Sequence, residues 1–241
     1  MKNTTILVLC CLLAFAFMGC NKGNDDSVAI GAIFPLSGPV AYYGTESRDG
    51  ALLALEEINA AGGLLGKKLV MLSEDDEGDG SKTLSAFTKL VTRNKVKFIL
   101  GSSTSGATMA ITQQAQQNKV VLNSPSATNI DVTRAGDFIF RTCFIDPFQG
   151  IVGAGFAYNN LNARRAAVLY DAGADYNTGL ADEFKKEFRR LGGQVVADEA
   201  YMTGEVDFNA QITRIRAANP DVVYLPNYYQ DVSLQAKQLR D

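Results

Sequence analysis

A loop of hydroxyl side chains flanked by glycines, residues 101–106 (GSSTSG), is the segment best suited to hold a small ligand. It lies between a short apolar segment and a predicted helix, so its hydroxyl and backbone N–H groups are expected at a helix N-terminus. That end of a helix attracts a carboxylate or another anion, and glycines let the backbone approach a ligand closely. Ala107 stands where a P-loop requires lysine, which excludes that phosphate-binding motif. The alternative is that one of these residues only caps the helix and the other serines are redundant.

A second hydroxyl-rich loop, residues 123–129 (NSPSATN), follows the next apolar segment. Ser126, Thr128 and the backbone between them again present small hydrogen-bonding groups. Because ligands of open α/β sheets bind beyond the carboxyl ends of the strands, the two loops are expected to converge on one spot. Hydroxyl and N–H groups suit a carboxylate, and hydroxyl and C=O groups suit an ammonium. The spot is therefore suited to a zwitterion.

Two further segments each allow two interpretations. Tyr42 and Tyr43 lie at the start of a predicted helix and either pack on the surface or form an aromatic wall for a ligand. The acidic run at residues 74–79 (EDDEGD) suggests calcium. With Asp75 in the first position of an EF-hand loop, however, Ala86 takes the twelfth position, where glutamate is required. An acidic helix start is the favoured interpretation, and we expect no metal and no cofactor.

Composition excludes several classes of function. The 241 residues carry a net charge of −3, which gives no indication of a nucleic-acid partner. The sequence contains no histidine, the commonest general base, and no G-x-S-x-G nucleophile elbow, so we do not expect an enzyme. Of the four cysteines, only Cys143 lies outside residues 1–20, so no disulfide is expected within the mature chain.

Residues 1–20 are typical of a bacterial lipoprotein signal peptide. A positive charge at the second position precedes an apolar stretch shorter than the roughly 20 residues of a membrane-spanning helix. Residues 17–20 (FMGC) resemble the lipobox, whose cysteine is acylated, although Phe17 departs from the usual aliphatic residue. The alternative is an ordinary signal peptide. Acylation of Cys20 would anchor the protein to a membrane surface, and the polar residues 21–27 would form a flexible tether.

The remaining sequence alternates short apolar segments with helical patterns. Each predicted strand is apolar throughout, which is typical of a parallel sheet with helices on both faces. In the first half we predict strands at residues 29–34, 69–72, 98–100 and 120–122 and helices at 43–61, 81–93 and 107–118. In the second half we predict helices at residues 147–160, 180–191, 208–215 and 232–240 and strands at 166–170, 194–197 and 222–225.

The pattern restarts after residues 141–146, which we interpret as a crossover between two lobes of the same α/β type. The predicted boundaries are 28–142 for the first lobe and 143–241 for the second. The sequence ends at Asp241 inside a helical pattern, and the second lobe has few strands for a sheet of normal width. We therefore expect the second lobe to be incomplete.

Several motifs, in order and spacing, resemble those of branched-chain amino acid binding proteins, the type I periplasmic solute-binding proteins of ABC importers. The resemblance covers nearly all of the mature chain. It rests on AIGAIFPLSGPVAYYG, EEINAAGGLLGKKL, GSSTSG, SPSATN, FRTCFIDPFQG, LYDAGADYNTGL and FNAQITRIRAANPDVVYLPNYYQD. It implies a two-lobed type I periplasmic binding protein fold, with parallel sheets flanked by helices and a truncated second lobe.

The resemblance also implies a set of ligand-binding residues. The first-lobe contacts are Ser102, Ser103 and Thr104 in the first loop, Ser126, Ala127 and Thr128 in the second, and Tyr43 at the side-chain pocket. The second-lobe contacts are Tyr176 and Tyr228, and the sequence does not decide between Tyr228 and the adjacent Tyr229. Many family members bind the ligand ammonium with an acidic residue whose position lies beyond Asp241.

The function implied by the resemblance is capture and delivery of an amino acid. Two lobes would close over the ligand and present it to an ABC permease, with the protein lipid-anchored on the periplasmic or extracellular face of a bacterial membrane. The alternative is a ligand-sensing domain for amides or amino acids in a signalling protein, which sequence beyond Asp241 would reveal. The tyrosines suit a leucine-like ligand and equally an aromatic acid, a short amide or urea.

Overall fold

Residues 27–240, which the computed structural model describes, form two α/β lobes, each built on its own parallel sheet. The predicted signal peptide, Cys20 and most of the predicted tether lie outside the described residues. Ser27, assigned to the tether from the sequence, is instead the first residue of the first strand. Between residues 27 and 240, no helix is long and apolar enough to cross a bilayer.

The first lobe has a five-stranded sheet. Its elements are β1 (Ser27–Phe34), α1 (Ala41–Ala60), β2 (Lys68–Asp75), α2 (Gly80–Thr92), β3 (Phe98–Gly101), α3 (Ser105–Asn118), β4 (Val121–Ser124), a 3₁₀ helix (Ile130–Ala135) and β5 (Ile139–Arg141). The strand order is β2-β1-β3-β4-β5, and all neighbours pair in parallel. Ala32, Ile33 and Phe34 of β1 are all buried although successive side chains point to opposite faces, so both faces of the sheet are covered.

The second lobe repeats the pattern around three strands. Its elements are α4 (Asp146–Gly155), which continues as a π-helical turn (Phe156–Asn160), β6 (Arg165–Asp171), α5 (Asp175–Arg190), β7 (Gln194–Tyr201), α6 (Asn209–Ala218), β8 (Val222–Tyr224) and α7 (Tyr229–Arg240). The strands pair in parallel in the order β7-β6-β8. Leu180, Phe184 and Phe188 of α5 recur at helical spacing and are fully buried, as their pattern predicts.

The strands differ in extent from those predicted. The sequence does not predict β5, whose three residues pair with β4. β2 and β7 continue to Asp75 and Tyr201, beyond the predicted ends at residues 72 and 197, because the added residues stay paired with β1 and β6. Their polar residues carry no strand signal of their own, and the neighbouring strand holds them in the ladder.

The acidic run at the end of β2 organises the loop that follows the strand. The Asp75 carboxylate accepts hydrogen bonds from the Ser37 hydroxyl (2.6 Å) and from the backbone N–H of Leu36 (2.8 Å). Asp79 caps α2 by accepting from the backbone N–H of Lys82 (2.9 Å). Among residues 27–240, no group of three acidic or cysteine side chains is arranged to hold a metal ion.

The crossover between the lobes is tied to the second hydroxyl-rich loop. The Arg141 guanidinium, at the end of β5, donates to the carbonyl oxygens of Ala127 (2.8 Å) and Asn129 (2.7 Å). Asn129 in turn donates from Nδ2 to the carbonyl oxygen of Asp175, the first residue of α5 (2.9 Å). These contacts hold the loops at the strand ends of both lobes beside a common cleft.

Candidate functional site

A cavity of about 340 Å³ lies between the two lobes, at the carboxyl ends of their strands. It is lined from the first lobe by Tyr43, Ser103, Ser105, Pro125, Ser126 and Thr128, from the crossover and α4 by Cys143, Phe144 and Gln149, and from the second lobe by Tyr176 and Tyr228. The volume is at the lower end of the range for small-molecule sites. The site therefore fits a small ligand.

The first-lobe side of the cavity contains hydroxyl groups that have no partner. Ser103 Oγ and Thr128 Oγ1 are buried and make no hydrogen bond. A buried polar atom left unpaired costs free energy that a bound ligand recovers by hydrogen bonding to it. Ser126 differs, because its hydroxyl donates to the carbonyl oxygen of Ser103 (2.7 Å) and so joins the two loops.

Three of the residues implied by the resemblance are buried beside the cavity and do not line it. The hydroxyls of Ser102 and Thr104 are buried without a partner. The methyl group of Ala127 belongs to the first-lobe core, and its backbone N–H donates to Ser124 Oγ (3.1 Å). The backbone groups of Ala127 are thus occupied within the first lobe, since its carbonyl oxygen accepts from Arg141 (2.8 Å).

The second-lobe side of the cavity is an aromatic wall. The rings of Tyr176, in the first turn of α5, and Tyr228, just before α7, stack with centroids 5.0 Å apart. Tyr43, at the start of α1, packs edge-on against Tyr228 at 5.8 Å and reaches it across the cleft. Burial raises the pKa of all three phenols, so they are neutral hydrogen-bond donors at physiological pH.

Tyr228 and Tyr229, which the sequence does not separate, have different positions. Tyr228 lines the cavity. Tyr229 is 42% exposed, and its hydroxyl donates to the carbonyl oxygen of Pro39 in the first lobe (2.7 Å). Tyr229 therefore lies at the rim of the cleft as a contact between the lobes.

Asp146, the first residue of α4, is a buried carboxyl group at the junction of the lobes. It is 2% exposed, neither carboxyl oxygen has a hydrogen-bond partner of normal geometry, and its backbone N–H donates to the carbonyl oxygen of Thr128 (3.0 Å). Burial raises its pKa to about 6, with Glu183 acting in the same direction. The Thr128 hydroxyl, which lies near this carboxyl group without meeting the geometry of a hydrogen bond, and the Arg141 guanidinium act in the opposite direction.

Sequence reasoning missed five of the lining residues. These are Ser105, Pro125, Cys143, Phe144 and Gln149. Ser105 and Pro125 lie within the two hydroxyl-rich loops, so the same reasoning that selects those loops could have included them. Cys143 and Phe144 lie at the crossover, where irregular backbone gives no periodicity from which to infer side-chain direction, and Gln149 lies in α4, outside both loops. Gln149 faces the aromatic wall, because its Nε2 donates to the Tyr176 hydroxyl (3.3 Å).

The structure has two α/β lobes with a cavity in the cleft between them, and a family comparison places the chain in a known class. Residues 27–241 match the periplasmic binding protein family, to which the chain therefore belongs. The expected type I periplasmic binding protein fold is thereby confirmed.

Three individual relatives show which members of this family the chain resembles. The chain is 39% identical over 240 residues to "Leu/Ile/Val-binding protein BraC3" of Rhizobium johnstonii, covering 99% of this chain and 64% of that one. The leucine-binding protein LivK of Thermotoga maritima superposes with a TM-score of 0.84 at 34% identity, over 88% of this chain and 60% of that one. LivJ of Streptococcus pneumoniae, solved in complex with isoleucine, gives a TM-score of 0.83 at 36% identity, over 89% and 61%.

The relatives are named as binding proteins for branched-chain amino acids, so the family is one of binding proteins and not of enzymes. The expected resemblance to this group is confirmed. The chain spans 60 to 64% of the length of these three proteins.

Proposed function

We propose that this protein is an extracytoplasmic binding protein that captures a branched-chain or related amino acid between its lobes. The observation that carries the proposal is the pairing of unpartnered, buried hydroxyls on one side of the cavity with a tyrosine wall on the other. The polar side matches the head group of an α-amino acid, and the rings match an apolar side chain.

The head group is assigned to the first lobe. The hydroxyls of Ser103 and Thr128 would donate to the ligand carboxylate at the N-terminus of α3, where the helix dipole favours negative charge. Ser105, the first residue of α3, also lines the cavity. The ligand side chain would then lie against Tyr43, Tyr176 and Tyr228.

Delivery is the second part of the proposal. In the ABC importer role, the closed, loaded form docks on membrane permease subunits, and a ligand that prefers the closed form shifts the equilibrium towards it. Acylation of Cys20 would keep the protein on the periplasmic or extracellular face of the membrane, near the permease. The family match and the names of the relatives support this role.

A ligand series tests the proposal. Thermal unfolding of the chain from Ser27 onwards is measured with L-leucine, L-isoleucine and L-valine. L-leucinamide, which lacks the carboxylate, and 4-methylpentanoate, which lacks the ammonium, are the matched controls. A ligand at a hundred times its Kd stabilises the fold by about 2.7 kcal/mol. We expect a shift with the amino acids and a much smaller one with either control.

The same series separates competing ligands. Benzoate and short amides are included because the tyrosines also suit them. Stabilisation by benzoate and by none of the amino acids would reassign the site to aromatic acids. No stabilisation by any of these compounds at millimolar concentration would contradict the proposal.

A further inference from the structure

We propose that Asn177 and Asn227 form a positioning pair, which fixes the stacked tyrosines of the second lobe and thereby sets ligand affinity. The inference rests on the proposed function for its binding readout. Neither residue lines the cavity. Each is the chain neighbour of one of the two stacked tyrosines, since Asn177 follows Tyr176 and Asn227 precedes Tyr228.

The two asparagines are joined behind the stacked rings. Asn177 Nδ2 donates to Asn227 Oδ1 at 2.8 Å, and both side chains are buried. The tyrosine rings stack at 5.0 Å on the neighbouring positions. One side-chain hydrogen bond therefore connects the first turn of α5 to the loop before α7, at the point where each presents a ring to the cavity.

Asn227 is itself held rigidly. Its Oδ1 also accepts from the backbone N–H of Asp171 (3.1 Å), and its Nδ2 donates to the carbonyl oxygen of Leu169 (2.8 Å) and to Gln235 Oε1 (2.9 Å). All four hydrogen-bonding positions of the amide are used. Asn227 thus holds the loop before α7 against β6 and α7. The hydrogen bond from Asn177 to Asn227 links α5 to the same loop.

Asn177, in contrast to Asn227, is held by few hydrogen bonds. Its Oδ1 is buried without a partner, which lowers its value to the stability of the fold. Its one described side-chain hydrogen bond is the bond to Asn227. Removal of the Asn177 side chain therefore uncouples the two tyrosines, whereas the four bonds of Asn227 make that residue a poor probe because its removal disturbs the fold.

The test is Asn177→Ala in the whole chain. The sequence contains nine tyrosines and no tryptophan, so near-ultraviolet circular dichroism reports on tyrosine packing. We expect a reduced tyrosine signal, an unchanged far-ultraviolet spectrum and a Kd for L-leucine raised about 3- to 10-fold, the loss that corresponds to one net hydrogen bond. Asn177→Ser serves as a second variant if the alanine protein fails to fold.

Two comparisons separate positioning from a general structural role. In a Tyr228→Ala background, Asn177→Ala is expected to cause no further loss of affinity, because the stack of Tyr176 on Tyr228 that the pair fixes no longer exists. Asn59→Ala is the matched control. Its amide links α1 to the backbone of Leu69 at 2.7 and 2.9 Å, so its loss lowers stability without altering the tyrosine signal.

The outcomes are distinct. A wild-type tyrosine spectrum in folded Asn177→Ala, or an affinity loss that is fully additive with Tyr228→Ala, overturns the positioning role. If the unaltered protein does not bind L-leucine, the proposed function fails, and the near-ultraviolet spectrum alone decides on the positioning pair.

Discussion

The Tyr229 hydroxyl lies 2.7 Å from the carbonyl oxygen of Pro39 and donates a hydrogen bond to it, across the cleft and 190 positions along the chain. A second bond across the cleft joins Asn129 to the backbone of Asp175 at 2.9 Å. Both bonds require the lobes to be close together. They therefore favour the closed arrangement in which the cavity exists.

Tyr229→Phe is expected to weaken ligand binding without altering the cavity. Loss of one net hydrogen bond in the closed form predicts a Kd raised about 2- to 10-fold, measurable by calorimetry. Tyr42→Phe is the matched control, because Tyr42 is exposed, packs against Tyr229 and has no side-chain hydrogen bond within residues 27–240. An equal loss of affinity in both variants would contradict a role for the Pro39 bond.

Ser103→Ala and Ser124→Ala are expected to have opposite effects. Ser103 Oγ is unpartnered, so its removal leaves the ligand-free protein equally stable or slightly more so and weakens binding at least tenfold. Ser124 Oγ donates to the carbonyl oxygen of Ser102 at 2.6 Å, so its removal destabilises the ligand-free fold by about 1–3 kcal/mol. Chemical denaturation and calorimetry on both variants test the contrast. A large loss of stability in Ser103→Ala would argue against a free, ligand-facing hydroxyl.

Asp146 predicts a specific pH dependence of stability. Its pKa is raised from 3.8 to about 6 by burial, so the folded state binds this proton more tightly than the unfolded state does. The stability that the proton contributes is complete below pH 4 and is lost as the pH rises to about 6. Asp146→Asn removes this dependence and is expected to be the more stable protein at neutral pH.

Measurement of the free energy of unfolding at pH 4 and pH 7 tests this prediction. We expect the difference between Asp146→Asn and the unaltered protein to grow by about 1–2 kcal/mol, after allowance for solvent screening. Glu57→Gln, at an exposed position on α1, is the control for general titration effects. A difference that stays constant with pH would show that Asp146 titrates at its ordinary pKa.

Two glycines of α1 provide a matched pair. A Cβ at Gly44 would overlap the carbonyl oxygen of Pro35, whereas a Cβ at Gly50 would meet no atom within 4 Å. Gly44→Ala must push α1 away from the loop after β1 and is expected to cost about 1–3 kcal/mol. Gly50→Ala is expected to stabilise the helix by about 0.5–1 kcal/mol. Thermal unfolding of both variants is the measurement, and equal effects would refute the close approach at Gly44.

Most of the fold follows from the sequence, because strands buried on both faces and amphipathic helices leave strong patterns. The stripe of Leu180, Phe184 and Phe188 predicts α5 and its buried face. β5 is different, since its three residues become a strand only through pairing with β4. No local signal distinguishes such a segment from a loop.

The site is predictable where a loop carries its chemistry in its composition. Ser103, Ser126 and Thr128 follow from their positions after strands, and all three line the cavity. Cys143 at the crossover and Gln149 in α4 also line the cavity, and the direction of their side chains depends on how the lobes pack. The positioning pair lies outside sequence reasoning for the same reason, since its two members are 50 residues apart.

The unpartnered hydroxyls have a consequence for the resting protein. When the lobes are apart, water can hydrogen-bond to the hydroxyls of Ser103 and Thr128. When the lobes close without a ligand, that water is removed and the hydroxyls have no hydrogen-bond partner. Closure without ligand therefore carries a cost that opposes the two hydrogen bonds across the cleft, and a ligand that bonds to these hydroxyls removes the cost and shifts the balance towards the closed form. In the proposed transport role, a permease that recognises the closed form would distinguish a ligand-bound protein from an empty one without contacting the ligand.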